Sequence, residues 1–120
     1  MCDVLCYLYM EAEQGVLEKI RVLVGAGRYR IRLHAVRHMI EEGFDEGNVL
    51  EAVGGGSRIL EVYSHEMRCL LLGYFTLGES VRQPLHVVCD YSHPRVVDIV
   101  TAYLPQKPWW MTPGKRGRLI

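Results

Sequence analysis

The residues with chemistry to offer are mainly histidines and arginines. His34 and His38 stand four apart with Arg37 between them. On a helix that spacing puts both imidazoles on one face and Arg37 on an adjoining line. His86 sits in an alternating apolar run that divides Leu85, Val87 and Cys89 from His86, Val88 and Asp90, the two faces of a strand. Metal-free RNA cleavage needs such groups: a base for the 2′-hydroxyl, an acid for the leaving 5′-oxygen and a cation over the phosphate. Each residue also has a plain structural role open to it. His34 fits a helix start or a hydrogen-bonded structural histidine, His38 fits exposed helix surface, and His65 and His93 fall in polar turns.

Cations for a phosphate lie in two places. Arg28, Arg30, Arg32 and Arg37 form one cluster, and Lys107, Lys115, Arg116 and Arg118 follow the last acidic residue, Asp98. RNA bound there would be held weakly and in a salt-sensitive way. Between them Glu41, Glu42, Asp45, Glu46 and Glu51 make an acidic patch, the solvated side of helices or a surface for a basic partner. Trp109 and Trp110 could stack on bases or anchor the tail to the rest of the fold. The four cysteines, Cys2, Cys6, Cys69 and Cys89, are irregularly spaced, with no CxxC or HExxH pair. Neither a metal nor an organic cofactor is expected, and core thiols outside any disulfide framework fit a reducing cytoplasm.

These residues must be positioned by one domain, since the chain has 120 residues, is 49 % hydrophobic and 23 % charged, and carries no net charge. That balance excludes a disordered chain and a broad cationic field. The apolar N-terminus is too short to cross a membrane. Val16, Leu17, Ile20, Leu23 and Val24 recur at helical spacing up to Gly25. Tyr29 to Leu33 reads as a short extended lead-in to a second helix with Ala35, Met39 and Ile40, ended by Gly43; a third has Asp45 as N-cap and stops at Gly54. Beyond Gly56 the period becomes two, over 57–63, 67–75, 84–91 and 96–103, with hairpin-sized separators. The expectation is α+β: two or three N-terminal helices packed on a four-stranded, mainly antiparallel sheet. One core would hold Val16, Leu17, Ile20, Leu23, Met39, Leu50, Leu70, Leu72, Leu85, Val87 and Ile99. Residues 1–15 read as a poorly ordered leader, 16–104 as the domain and 105–120 as a basic C-terminal tail containing proline and tryptophan.

Three motifs occur in order: Arg32-Leu33-His34-Ala35 with Met39, Pro84-Leu85-His86-Val87-Val88, and Tyr103-x-Pro105 leading to Trp110 and a basic end. On these the chain resembles the DUF4258 family over roughly residues 16 to 118, a family similar in layout to RelE-like and BrnT-like toxins of toxin–antitoxin pairs. His38 stands where the family pattern H-A-x-x-R-M has arginine, and Glu42 replaces a further arginine. The resemblance implies a RelE-like fold and a toxin-like, metal-independent ribonuclease. Its catalytic set would be His34, His86, Tyr103 and Arg37, with Arg28, Arg30, Arg32, Lys107, Lys115, Arg116 and Arg118 on RNA. A cognate antitoxin and mRNA or the ribosome would be its partners. The charge losses at His38 and Glu42 favour the alternative, a non-enzymatic protein- or RNA-binding module. The apolar strands leave a third reading, a structural subunit of a homo-oligomer.

Overall fold

The computed structural model describes residues 4–106 and 110–117. Helix α1 (Val4–Gly25) is followed by β1 (Tyr29–Ile31), α2 (Leu33–Glu42) and α3 (Glu46–Gly54). Then come β2 (Arg58–Tyr63), a 3-10 turn (Ser64–Glu66), β3 (Arg68–Leu77), β4 (Val81–Asp90) and β5 (Val97–Tyr103). A small hairpin, β6 (Trp110–Thr112) with β7 (Lys115–Arg116), comes last.

The stop and start signals act where the sequence places them. α2 ends on Gly43, whose φ of 80° is left-handed and open to glycine without steric cost. α3 opens on a reciprocal cap: the Asp45 carboxylate accepts from the Asn48 amide at 3.0 Å, and the Asn48 side chain accepts from the Asp45 amide at 2.9 Å. α1 begins earlier than expected, so the segment read as a leader is helical from Val4 onward. No proline interrupts it.

Strands β2 to β5 form the expected antiparallel meander, but the sheet is five-stranded and mixed, in the order β1-β5-β4-β3-β2. β1 runs parallel to β5, pairing Tyr29 with Val97, Arg30 with Asp98 and Ile31 with Ile99. The expected number of four strands is corrected to five here, while the sheet remains mainly antiparallel. A three-residue strand is too short to show a period, and its partner lies 68 residues away. Within the C-terminal tail, residues 110–116 form the small hairpin.

α1 and α3 pack on one face of the sheet. Leu17, Ile20, Val49, Val53, Leu71, Leu85, Val87 and Ile99 are buried there in a single cluster, with Val16, Leu23, Met39 and Leu50 partly buried against it. α3 comes so close that a Cβ on Gly73 would stand 2.0 Å from the Ala52 carbonyl oxygen. Leu70 and Leu72 are buried but lie outside that cluster. The pleat sends them to the opposite face with Glu61 and His86, their cross-strand neighbours.

β1 stops early, and that positions α2. The Arg32 amide still bonds the Ile99 carbonyl at 2.9 Å, after which α2 begins and packs along the rest of β5 through buried Ala35. The helix thus takes the place at the sheet edge that a longer strand would occupy, and its histidines reach toward the face opposite α1 and α3.

Candidate acid–base site

On that opposite face a cleft of about 360 Å³ opens between α2 and the C-terminal hairpin, lined by His38, Glu42, Tyr103, Leu104, Gln106, Trp110 and Arg116. One wall comes from the four-residue repeat of α2. The His34 and His38 rings meet edge-on with centres 4.8 Å apart, and His38 Nδ1 lies 3.1 Å from Glu42 Oε2. Glu42 is held in turn, its Oε1 accepting from the Leu104 amide at 3.2 Å. With its Nδ1–H donated to the carboxylate, His38 keeps the Nε2 lone pair as a base. Tyr103, at the end of β5, has its ring centre 6.5 Å from that of His38. Burial raises the Tyr103 pKa, so the hydroxyl keeps its proton through neutral pH.

His86 is present but covered. It is fully buried, although it faces away from the helical core. Nε2 lies 2.5 Å from the Pro113 carbonyl oxygen and Nδ1 lies 3.2 Å from the Tyr103 hydroxyl. A carbonyl only accepts, so Nε2 carries the proton and neutral His86 receives the Tyr103 O–H at Nδ1. The Trp110 indole works against the rise in the Tyr103 pKa, and its ring meets His86 edge-on at 4.3 Å. Burial lowers the His86 pKa, against the Pro113 carbonyl and Glu61, which favour the charged ring. Among the described residues, every nitrogen of this histidine is engaged.

Arg116 fastens the hairpin. Its Nε and Nη2 donate to the Glu61 carboxylate at 2.6 and 2.7 Å, and its guanidinium lies 4.7 Å from the Trp110 ring centre. The pair holds Glu61 below the ordinary carboxylate pKa and Arg116 above its own ordinary value. Glu61 also receives the Tyr63 hydroxyl, and burial with that bond lifts Tyr63 to about 12.

The other residues singled out in the sequence are dispersed. Arg30 and Arg32 are tied to Asp98, at 2.7 and 3.1 Å from Arg30 and 2.8 Å from Arg32. Burial works against the Asp98 charge, yet the two guanidinium groups hold its pKa below the ordinary value. Arg28 and Arg37 are exposed, Lys115 lies on β7, and Lys107, Trp109 and Arg118 fall outside the described residues. His65 lies in the exposed 3-10 turn, and His93 accepts from the Arg95 amide at 3.0 Å within its own turn. The structure therefore brings His34, Tyr103 and Arg116 around His38, while His86 is sealed beneath the hairpin. Glu61, Tyr63, Pro113 and the role of Glu42 escaped sequence reading. The i, i+4 spacing of His38 and Glu42 was a usable signal; the others depend on where the hairpin lands.

The family described as a domain of unknown function, DUF4258, matches residues 31–104. The chain belongs to the DUF4258 family. The match takes in His34, His38, His86 and Tyr103 and ends before the hairpin that carries Trp110, Pro113 and Arg116. No curated protein and no solved structure matches the chain. Among the described residues of this DUF4258 protein, no cluster of three His, Cys, Asp or Glu is arranged to hold a metal, and no helix is long and apolar enough to cross a membrane.

Proposed function

We propose that this DUF4258 protein is a toxin-like, metal-independent endoribonuclease acting in the cleft between α2 and the hairpin, with a cognate antitoxin as its inhibitor. The observation that carries the reading is the His38–Glu42 pair facing Tyr103 and Arg116 across one cleft. His38 Nε2 removes the proton from a ribose 2′-hydroxyl. The 2′-oxygen attacks phosphorus, the bond to the 5′-oxygen breaks, and Tyr103 supplies the proton that oxygen takes. The products are a 2′,3′-cyclic phosphate and a free 5′-hydroxyl. Arg116 keeps Nη1 outside its bonds to Glu61 and, with exposed Arg37, offers N–H groups to the phosphate. His38 thus takes the base role that sequence reasoning left between His34 and His86.

A second reading has its own support. Arg116 is already paired with Glu61 and His86 is already satisfied, as befits a binding module for RNA or protein that performs no chemistry. The test incubates wild type, His38→Ala, Glu42→Gln and His65→Ala with RNA alone and on translating ribosomes. Cleavage by wild type and His65→Ala, with roughly a 100-fold loss in His38→Ala, supports the nuclease. Wild type cleaving neither substrate leaves the binding module; cleavage undiminished in His38→Ala removes this site assignment.

A further inference from the structure

His86 is buried in an unusual way. Side chains of the helical core are covered by α1 and α3, but His86 lies on the other face, where the short hairpin β6–β7 covers it. That hairpin forms its own two-stranded sheet and shares no ladder with the main one. Among the contacts that bind it there are the Pro113 carbonyl on His86, the Trp110 ring on His86, and Arg116 on Glu61. The ion pair is half open to water, with the Arg116 side chain 56 % and that of Glu61 26 % exposed. An ion pair so open to water is screened and adds little, which leaves the buried Trp110 ring and the Pro113 carbonyl to hold the hairpin down. A segment without ladder bonds to its neighbours also belongs to the part of a fold that opens independently of the whole.

We propose that the β6–β7 hairpin is a hinged cover over a second histidine, opening as a unit while the sheet and helices stay folded. Closed, its Pro113 carbonyl occupies Nε2, while Tyr103 from β5 occupies Nδ1. Open, it leaves Nε2 without its carbonyl acceptor, places His86 beside Tyr103 at the cleft and releases Arg116 from Glu61. The opening itself is independent of any reaction; its consequence for RNA cleavage, an autoinhibited site that gains an imidazole and a free guanidinium, rests on the function proposed above. The groups facing His86 in the closed state are Tyr103 from β5, Trp110 and Arg116 from the hairpin, and Glu61 from β2.

The test needs no substrate. Diethylpyrocarbonate acylates accessible neutral imidazoles, and iodoacetamide alkylates accessible thiols. Cys69 and Cys89, fully buried in the helical core, report global unfolding, so peptide mass spectrometry of full-length protein separates the two events. A hinged cover has exposed His34, His65 and His93 reacting at once, His86 reacting more slowly, and Cys69 and Cys89 staying unmodified. Glu61→Gln should raise the His86 rate about threefold or more with no change at the two thiols. Arg116→Ala should do the same and guards against a special effect at Glu61. If His86 reacts only as fast as Cys69 and Cys89 in all three proteins, the hairpin opens only with global unfolding and the proposal fails, whether or not the protein cleaves RNA.

Discussion

His86 and Tyr103 are directly opposed across β4 and β5, and the Tyr103 hydroxyl donates to the imidazole Nδ1 at 3.2 Å. The ladder register sets the pairing, and the Pro113 carbonyl sets the direction of the bond by claiming the proton on Nε2.

Tyr103→Phe removes the donor and leaves a buried nitrogen lone pair unmatched. The expected loss is about 1–3 kcal/mol of unfolding free energy, read from urea denaturation. No loss would mean that water replaces the hydroxyl without penalty.

His86 also gives stability a pH dependence. Its pKa is lowered from the ordinary 6.5 in the folded state, so between the folded value and 6.5 the unfolded chain binds more protons. The contribution is complete above pH 6.5 and is lost as pH falls through the folded value. Asp98, Asp90 and Glu61 have lowered values too, and their contributions disappear at lower pH, below the ordinary carboxylate range. Melting temperature should fall in two stages on acidification, and His86→Gln should abolish the first stage alone.

Gly73→Ala is expected to be severe. The added methyl would meet the backbone of Ala52, which cannot rotate away as a side chain does. Separating α3 from β3 should cost about 3 kcal/mol or more, seen as a large drop in denaturation midpoint. Near-native stability would show that α3 can shift freely.

What was legible in the sequence followed from local rules. Gly43 and Asp45 marked the helix boundaries because their effect is confined to one turn, and the alternation around His86 correctly divided β4 into a core face and an opposite face. The same alternation puts Leu70 and Leu72 on the face opposite the helical core, although both read as core residues in the sequence. What stayed hidden required distant partners. Asp98 looked like an isolated acid until β1 brought Arg30 and Arg32 to it, and His86 looked accessible because nothing in its strand announces a carbonyl from Pro113. Cationic residues likewise counted as phosphate ligands before their carboxylate partners were known.

The parallel pairing of β1 with β5 also carries a kinetic consequence. Each other strand pair in the main sheet joins neighbours in sequence, whereas Arg30 meets Asp98 across 68 residues, and closing so long a loop defers the entropic return until the meander exists. α2 follows β1 directly and packs on β5 as well, so His34 and His38 are expected to arrive after the surface they face. Asp98→Asn, which weakens that docking, should therefore accelerate unfolding while leaving the refolding arm of a chevron nearly unchanged; a matching slowdown in refolding would place β1 in the nucleus. Among the main sheet and the helices packed on it, the histidine wall of the cleft is then expected to assemble last and to be lost first.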